Sequence, residues 1–320
     1  MTEILQLNLL SPITLSFALG VLARTVRSEF SLPRDIYAGL GIYLLFALGL
    51  KGGVELAKVP MATILLPVAA TLLLGCIRPL TSYVVLRRWA GFSTADSAGI
   101  AAHYGSVSAV TFIAALAFLD GMGQRVEGYL PTLLALLESP GIHIALALGA
   151  LKRSGPAQPM GQVLHEVLTG RTMVLLVGGL VVGYVMAPGT WEQVQPFYEG
   201  GIFKGALCLF LLEMGVVAGD RLSDLKRTGL TLLAFGVGMA LVHGALGVAV
   251  GLWAGMSVGG ATVLGAMSAS ASYIAAPPAV RMTLPEANPT LSLTASLAIT
   301  FPFNIIVGIP IYYQIAQWLS

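Results

Sequence analysis

The amino-acid sequence predicts an all-α polytopic membrane protein of about ten transmembrane helices, from its composition and its run of apolar segments. Hydrophobic residues make up 56% of the chain and charged residues only 10%, and the mean hydropathy is +0.85. A soluble domain carries about 25% charged residues, so this chain has too few to cover a water-facing surface. The surrounding partner that we expect is therefore membrane lipid, and the net charge of +2 gives no indication of a nucleic-acid partner.

The apolar segments are long enough to cross a bilayer, which requires roughly 20 predominantly apolar residues for each helix. Polar residues, glycine or proline separate one segment from the next. We place the ten spans at 8–25, 36–54, 60–86, 94–119, 128–151, 171–187, 200–219, 228–253, 257–282 and 290–318.

The basic residues divide unequally between the two sets of loops that ten spans create. Lys and Arg concentrate in short cytoplasmic loops. One set holds only Lys58, Arg125 and Lys204. The other holds Arg24, Arg27, Arg34, Arg87, Arg88, Lys152, Arg153, Arg171, Arg221, Lys226, Arg227 and Arg281. We therefore expect a cytoplasmic segment at 153–170 and both termini on the outer face.

The chain divides into two halves of five spans, 1–152 and 171–320, joined by the polar connector 153–170. An odd number of spans in each half inverts the second half relative to the first, which is the inverted repeat of many transporters. Two triplets support the pairing. Gly91-Phe92-Ser93 recurs 164 residues later as Gly255-Met256-Ser257, and Ser106-Val107-Ser108 recurs at the same offset as Ser270-Ala271-Ser272.

The fourth span of each half carries small and hydroxyl-bearing residues at its centre, and the second also carries Pro277-Pro278. Tandem prolines interrupt a helix, because proline lacks the backbone donor and clashes with the preceding turn. We expect two broken helices that cross, with half-helix amino ends facing an anion and freed carbonyls facing a small cation. The alternative is that small residues only allow close helix packing.

Two motifs in these spans resemble the sodium-dependent bicarbonate transporter family known from cyanobacteria. The first is Asp96 followed by Gly105, Ser108 and Thr111 in the arrangement Gly-x-x-Ser-x-x-Thr. The second is ASYIAAPPAVRMTLPEANPT at 271–290, which is similar to the family's Pro-Pro…Arg…Pro-x-Ala-Asn-Pro run.

The resemblance implies core and gate domains, a location in the bacterial cell membrane, a trimer, and sodium-coupled uptake of bicarbonate. It implies no cofactor other than sodium as the coupling ion. It also implies that Ser106, Ser108 and Thr111 hold the anion. Family members are regulated by a PII-type cytosolic protein, partly through a central loop longer than the connector here.

Two positions depart from the family's pattern. Ser108-Ala109-Val110-Thr111 stands where cyanobacterial members have Ser-Gly-Ser-Thr, and Tyr273 stands where they have an aspartate. Either change can alter the ion stoichiometry or the substrate. The candidate anion site comprises small, hydroxyl-bearing or aromatic residues of both broken helices, namely Gly105, Ser106, Ser108, Thr111, Ser270, Ser272 and Tyr273.

Glu138 and Asn304 are the candidate sodium ligands. An ionisable residue at bilayer depth costs roughly 2.5–3.5 kcal/mol on insertion scales, so Glu138 requires a partner or a purpose. A carboxylate beside hydroxyls and backbone carbonyls offers the oxygen ligands that hard cations prefer. Asn304 would supply a neutral ligand from the second half. The alternative is that Glu138 is a structural partner of Arg78 or of a histidine. Arg78 in turn is either this counter-charge or part of the anion path.

These features predict secondary active symport of bicarbonate with sodium by alternating access. One alternative is a sodium- or proton-coupled transporter of another small anion or of an organic carboxylate. An intramembrane enzyme is the alternative from another class. No His-Glu-x-x-His motif is present, and no Gly-x-Ser-x-Gly turn surrounds Ser106 or Ser108. A Gly-x-x-x-x-Gly-Lys-Ser/Thr phosphate loop is also absent from the sequence, so we expect neither catalysis nor ATP hydrolysis by this chain.

Overall fold

The structure is a computed structural model that describes residues 2–151, 160–187 and 189–320. The described residues do not include Lys152 or residues 153–159 of the expected connector, nor the side chains of Lys226 and Arg227. All the regular elements in the described ranges are helical. They are α1 Thr2–Leu9, α2 Pro12–Thr25, α3 Arg34–Leu56, α4 Met61–Arg88, α5 Thr94–Gly105, α6 Ala109–Gly121, α7 Leu130–Glu138, α8 Pro140–Ala150, α9 Met160–Leu168, α10 Arg171–Val185, α11 Trp191–Tyr198, α12 Gly200–Trp253, α13 Val258–Ala269, α14 Ala276–Thr283 and α15 Pro289–Leu319.

Seven helical stretches within the described residues are long and apolar enough to cross a membrane, and two bent pairs raise this number to at most nine. The bent pairs are α1 with α2, at 59°, and α9 with α10, at 57°. Gly229, with φ 80°, breaks the long α12 into two spans. The prediction of ten spans is not confirmed, because 257–282 forms only the 12-residue apolar helix α13, then non-helical backbone and α14.

Glycine pairs bring two pairs of helices into backbone contact. A Cβ at Gly20 of α2 would lie 2.9 Å from the Cα of Gly215 in α12. A Cβ at Gly49 of α3 would lie 3.0 Å from the Cα of Gly179 in α10. Small residues permit this close approach, which maximises van der Waals contact where lipid supplies no hydrophobic driving force between helices. Helices α2, α3, α10 and the first part of α12 therefore form one tightly packed group.

The remaining helices surround two interrupted segments with the same local structure. Helices α5 and α13 begin after Ser93 and Ser257, whose side chains accept from the backbone N–H groups of Asp96 and Gly260. A left-handed glycine precedes each serine by two positions, with φ 71° at Gly91 and 79° at Gly255. Both helices contain 12 residues, and each ends just before a non-helical serine.

The glycine contacts predict unequal effects of two substitutions in α10. We expect Gly183→Ala to lower the free energy of unfolding by about 1–3 kcal/mol, because the new methyl would overpack the contact with α3. A Cβ there would lie 2.9 Å from the backbone nitrogen of Val54. Gly178→Ala is the matched control, since a Cβ at Gly178 meets no described atom within 4 Å. Thermal unfolding in detergent compares the two, and equal melting temperatures would contradict the packing.

Candidate functional site

The first interruption lies between α5 and α6 at residues 106–108. Ser108 is extended, with φ −101° and ψ 110°, and its Oγ accepts from the backbone N–H of Thr111 at 3.2 Å. A serine at this position favours the start of a helix, because its side chain satisfies one of the free N–H groups of the first turn. The amino end of α6 therefore begins at Ser108, inside the protein.

The second interruption lies between α13 and α14 at residues 270–275. Pro277 and Pro278 fall in the first turn of α14, where a proline needs no N–H partner. The Oγ of Ser272 accepts from the backbone N–H of Ala275 at 3.2 Å, so a serine also stands before this helix. The prolines thus begin a new helix rather than continue α13.

Direct hydrogen bonds join the two interruptions. The backbone N–H of Ser108 donates to Ser270 Oγ at 2.9 Å, and the backbone N–H of Ser272 donates to the carbonyl of His103 at 2.8 Å. A weaker contact of 3.4 Å joins Ser108 Oγ to the hydroxyl of Tyr273. Residues 106–108 and 270–272 are buried, and the two open backbones satisfy part of each other's hydrogen-bonding capacity, as a membrane interior requires.

Arg78 of α4 connects the carbonyl ends of the two first half-helices. Its side chain is 0% exposed. Its Nη2 donates to the carbonyls of Tyr104 (2.8 Å), Ser106 and Ser270 (3.3 Å). Among the described residues, its Nε and Nη1 have no hydrogen-bond partner. The carbonyls that the sequence analysis assigned to a small cation at these helix ends are therefore bonded to a guanidinium.

A small cavity of about 100 Å³ collects four of the predicted residues, Ser108, Glu138, Ser272 and Tyr273. One water molecule requires roughly 10–15 Å³ of such volume, so the cavity holds several waters or one small ion. The start of α6 is at its wall. The cavity is also lined by Tyr37, Ala38, Gly41, Leu44, Leu45, Val107, Ala109, Val110, Ile113, Arg171, Thr172, Phe210 and Ile274.

Four residues of the predicted anion site do not line this cavity. Gly105 contacts Gly141 of α8 through its backbone, since a Cβ on Gly105 would lie 2.7 Å from the carbonyl carbon of Gly141. Ser106 donates its hydroxyl to the carbonyl of Glu138 at 2.8 Å. Ser270 Oγ accepts from Ser108 and donates to the Met267 carbonyl. Thr111 is buried one turn further along α6. These residues support the crossing rather than face the cavity.

Glu138 lies at the junction of α7 and α8 and is only 2% exposed. Within the described part of the chain, its Oε2 has no hydrogen-bond partner. The alternative that it pairs with Arg78 is not supported, because the Arg78 contacts are the three carbonyls. Ser106 instead lies between Arg78 and Glu138. Its carbonyl accepts from Arg78, and its hydroxyl donates to the backbone carbonyl of Glu138.

Asn304, the second predicted sodium ligand, connects helices away from this cavity. Its Nδ2 donates to the carbonyl of Ala269 at 3.1 Å, and its Oδ1 accepts from the hydroxyl of Tyr312 at 2.9 Å. It is 0% exposed and lies at the start of a π-helical turn, Asn304–Gly308. Asn304 therefore satisfies the carbonyl end of α13, and the structure does not bring it beside Glu138.

Sequence reasoning missed part of the site because the residues come from other helices. Tyr37 and Phe210 stack with ring centroids 4.8 Å apart, and both line the cavity. Arg171 and Thr172, at the start of α10, line it as well. Apolar periodicity cannot indicate these contacts. Arg78, a charged residue inside a predicted span, was visible in the sequence, but its contacts with the two interruptions were not.

The fold and this site define a multi-pass membrane protein with a small cavity beside two interrupted helices. The chain matches the Na+-dependent bicarbonate transporter superfamily over residues 12–317 of its 320 residues, and it belongs to that superfamily. The family resemblance read from the sequence is thus confirmed. A comparison with curated proteins finds no match.

The Asn304 contacts predict a loss of stability on substitution. We expect Asn304→Ala to lower the free energy of unfolding by about 1–3 kcal/mol, because the buried Ala269 carbonyl loses its side-chain donor. The Tyr312 hydroxyl also loses one of its two acceptors and keeps only the carbonyl of Ala240. Tyr312→Phe, which removes only the hydroxyl, is the control. Melting curves with and without sodium also test ligation. If Asn304 is a sodium ligand, sodium will no longer raise the melting temperature of Asn304→Ala but will still raise that of Tyr312→Phe. An unchanged melting temperature for Asn304→Ala would contradict the bridging role.

Proposed function

We propose that this protein carries out secondary active symport of bicarbonate with sodium by alternating access. The observation that carries the proposal is the cavity lined by Ser108 at the amino end of α6 and by Ser272 and Tyr273, which lie just before α14. Helix amino ends carry partial positive charge and favour anions. Membership of the Na+-dependent bicarbonate transporter superfamily supports this ion pair as the substrates.

The small volume of the cavity supports a small anion over a larger carboxylate. A volume of about 100 Å³ is below the several hundred Å³ of pockets for drug-sized ligands. Bicarbonate offers oxygens that accept from hydroxyls and one O–H that donates, and the serine and tyrosine hydroxyls can do both. An organic carboxylate with a bulky apolar part would require a wider apolar pocket.

For sodium, we propose the carboxylate of Glu138, which lines the same cavity and has no described partner on Oε2. Hard oxygen ligands suit such a cation. Asn304 remains a proposed ligand through the second lone pair of its Oδ1, the first being used by Tyr312.

We further propose ten spans in a five-plus-five inverted repeat, with α13 and α14 together as the ninth. The 164-residue offset that aligns the serine triplets also aligns the helices, since Thr94–Gly105 maps onto Val258–Ala269. The left-handed glycines and capping serines occupy equivalent places. We place both termini outside a bacterial inner membrane, in accordance with the distribution of basic residues.

Two cavities along α6 support alternating access. The first contacts Ser108, Ala109 and Val110. The second, of about 340 Å³, contacts Leu116, Ala117 and Asp120, and Ile113 lines both. Ion pairs of 2.6 Å, Lys51–Glu199 and Lys204–Asp120, join residues that line the second cavity. In the proposed cycle, movement of α6 against α3 and α12 opens one cavity as it closes the other.

An enzyme is less well supported than a transporter. Ser257 lies in the sequence Gly255-Met256-Ser257-Val258-Gly259, which matches the nucleophile pattern of serine hydrolases. Its Oγ caps α13 by accepting from Gly260 at 3.0 Å and donates to Glu127 at 3.1 Å. That turn lies before a helix that follows another helix, whereas the hydrolase motif requires a strand-to-helix turn. The serine is therefore accounted for by capping.

Uptake in liposomes tests the anion site. We expect Ser108→Ala to raise the bicarbonate concentration for half-maximal uptake roughly tenfold, because it removes one hydrogen bond to a charged group. Ser93→Ala is a matched control, since Ser93 also caps a helix, α5, but does not line the cavity. Labelled bicarbonate uptake is compared in folded, inserted protein. If both variants lose uptake equally, the effect is due to capping and the anion role is wrong.

The same liposome assay tests whether bicarbonate uptake is coupled to sodium through Glu138. We expect Glu138→Gln to abolish the sodium dependence of uptake, because the amide cannot supply the negative charge that holds the cation. Glu213→Gln is the control for a buried carboxylate. Its Oε2 accepts from the backbone N–H of Leu32 at 2.7 Å, and Glu213 does not line the cavity. Sodium dependence that persists in Glu138→Gln would exclude this carboxylate. A parent protein without bicarbonate flux under any gradient would exclude the substrate.

A further inference from the structure

Arg78 carries a positive charge that the described contacts do not neutralise. No described Asp or Glu oxygen lies within 4.0 Å of its guanidinium, and the three acceptors that it uses are backbone carbonyls. Carbonyl groups are dipoles without net charge. A buried charge of this kind is rare in a membrane interior and marks a functional position by default.

The position of Arg78 relative to the helix dipoles determines which partial charges it offsets. Ser106 and Ser270 are the C-cap residues of α5 and α13, whose carbonyl ends carry partial negative charge. Arg78 donates to both carbonyls and so offsets the negative ends. The positive amino end of α6 begins two residues after Ser106 and lines the cavity, and Ser272, just before α14, lines it as well.

We propose that Arg78 is a positioning residue that acts as a buried fixed cation of the anion site, in addition to the exposed Arg171 that lines the cavity. It clamps the carbonyl ends of both interrupted helices and leaves the cavity electropositive. It acts through Ser106 and Ser270, since it does not itself line the cavity. This inference rests on the proposed anion site. It adds a built-in positive charge, separate from the coupling sodium, that favours the anion and disfavours a second cation.

A fixed positive charge must affect anions and cations in opposite directions, whereas a structural defect weakens both. We expect Arg78→Gln, which keeps donor groups but removes the charge, to weaken bicarbonate binding about tenfold or more. The same variant should bind sodium as well as the parent or better. Such a magnitude is typical of a unit charge a few ångströms beyond contact at an effective dielectric constant of ~20. Arg78→Lys keeps the charge and should hold bicarbonate affinity within a few fold of the parent.

Binding of each ion is measured separately by calorimetry or thermal shift, on protein that elutes as a folded species in detergent. Arg87→Gln is the matched control. Arg87 lies on the same helix, donates to the Phe92 carbonyl, and is nine residues, roughly 13 Å, further along the axis. It should leave both affinities unchanged. Parallel weakening of sodium and bicarbonate in Arg78→Gln, or loss of bicarbonate binding in Arg78→Lys, would overturn the proposal.

A second variant keeps Arg78 in place and neutralises it. Thr81→Glu puts a carboxylate one turn away on α4, at the spacing of an i,i+3 ion pair. It should reduce bicarbonate affinity as Arg78→Gln does, with Thr81→Gln as its uncharged control. Unchanged affinity in folded Thr81→Glu would contradict the fixed-cation role, even where the Arg78 variants do not fold.

The parent protein separates this inference from the proposed function. If the parent binds formate, acetate or nitrate but not bicarbonate, the proposed substrate is wrong, and the Arg78 comparison is decided with the anion that binds. If the parent binds none of these anions, both the anion site and the role of Arg78 are overturned.

Discussion

The structure depends on one constraint, that backbone opened in the middle of a membrane must be satisfied within the protein. Two helices give up their hydrogen-bond ladders, at residues 106–108 and 270–275. Their polar groups bond to one another, to capping serines and to Arg78. Each unpaired group would cost several kcal/mol in a lipid-like interior. The crossing can therefore exist only as a pair, since each break supplies acceptors or donors for the other.

Local chemistry explains why the sequence alone identified the breaks. Ser108, Ser272 and Pro277-Pro278 are the residues that begin helices, and two of these signals also recur at one offset. These residues act on backbone groups only a few positions away in the chain, so their effect can be predicted from the sequence. The same holds for the apolar segments, and helices lie in all ten predicted spans, although 257–282 does not form one long helix.

Contacts between distant helices were not predictable in this way. The family resemblance placed Ser106 in the site, and the repeated serine triplet placed Ser270 there, but both bond to backbone and to Arg78 instead. Nothing in the local sequence distinguishes a serine that faces a cavity from one on the opposite side of the same turn. Asn304 shows the same difficulty, because its partner Tyr312 is set by a π-helical turn that changes the angular position of residues along α15.

The charges around the crossing give the proposed symport a physical basis. With Glu138 ionised, the two buried charges at the crossing, one negative on Glu138 and one positive on Arg78, sum to zero. Arg171, which also lines the cavity, is exposed. Binding one sodium and one bicarbonate adds no net charge. Binding only one of them leaves an uncompensated charge in a buried place, which costs several kcal/mol. In the proposed cycle, the crossing moves with little electrostatic cost when it is empty or when it holds both ions, but not when it holds only one of them. A proton on Glu138 gives the same balance as sodium, so a sodium-coupled and a proton-coupled cycle differ only in the ion that this carboxylate holds.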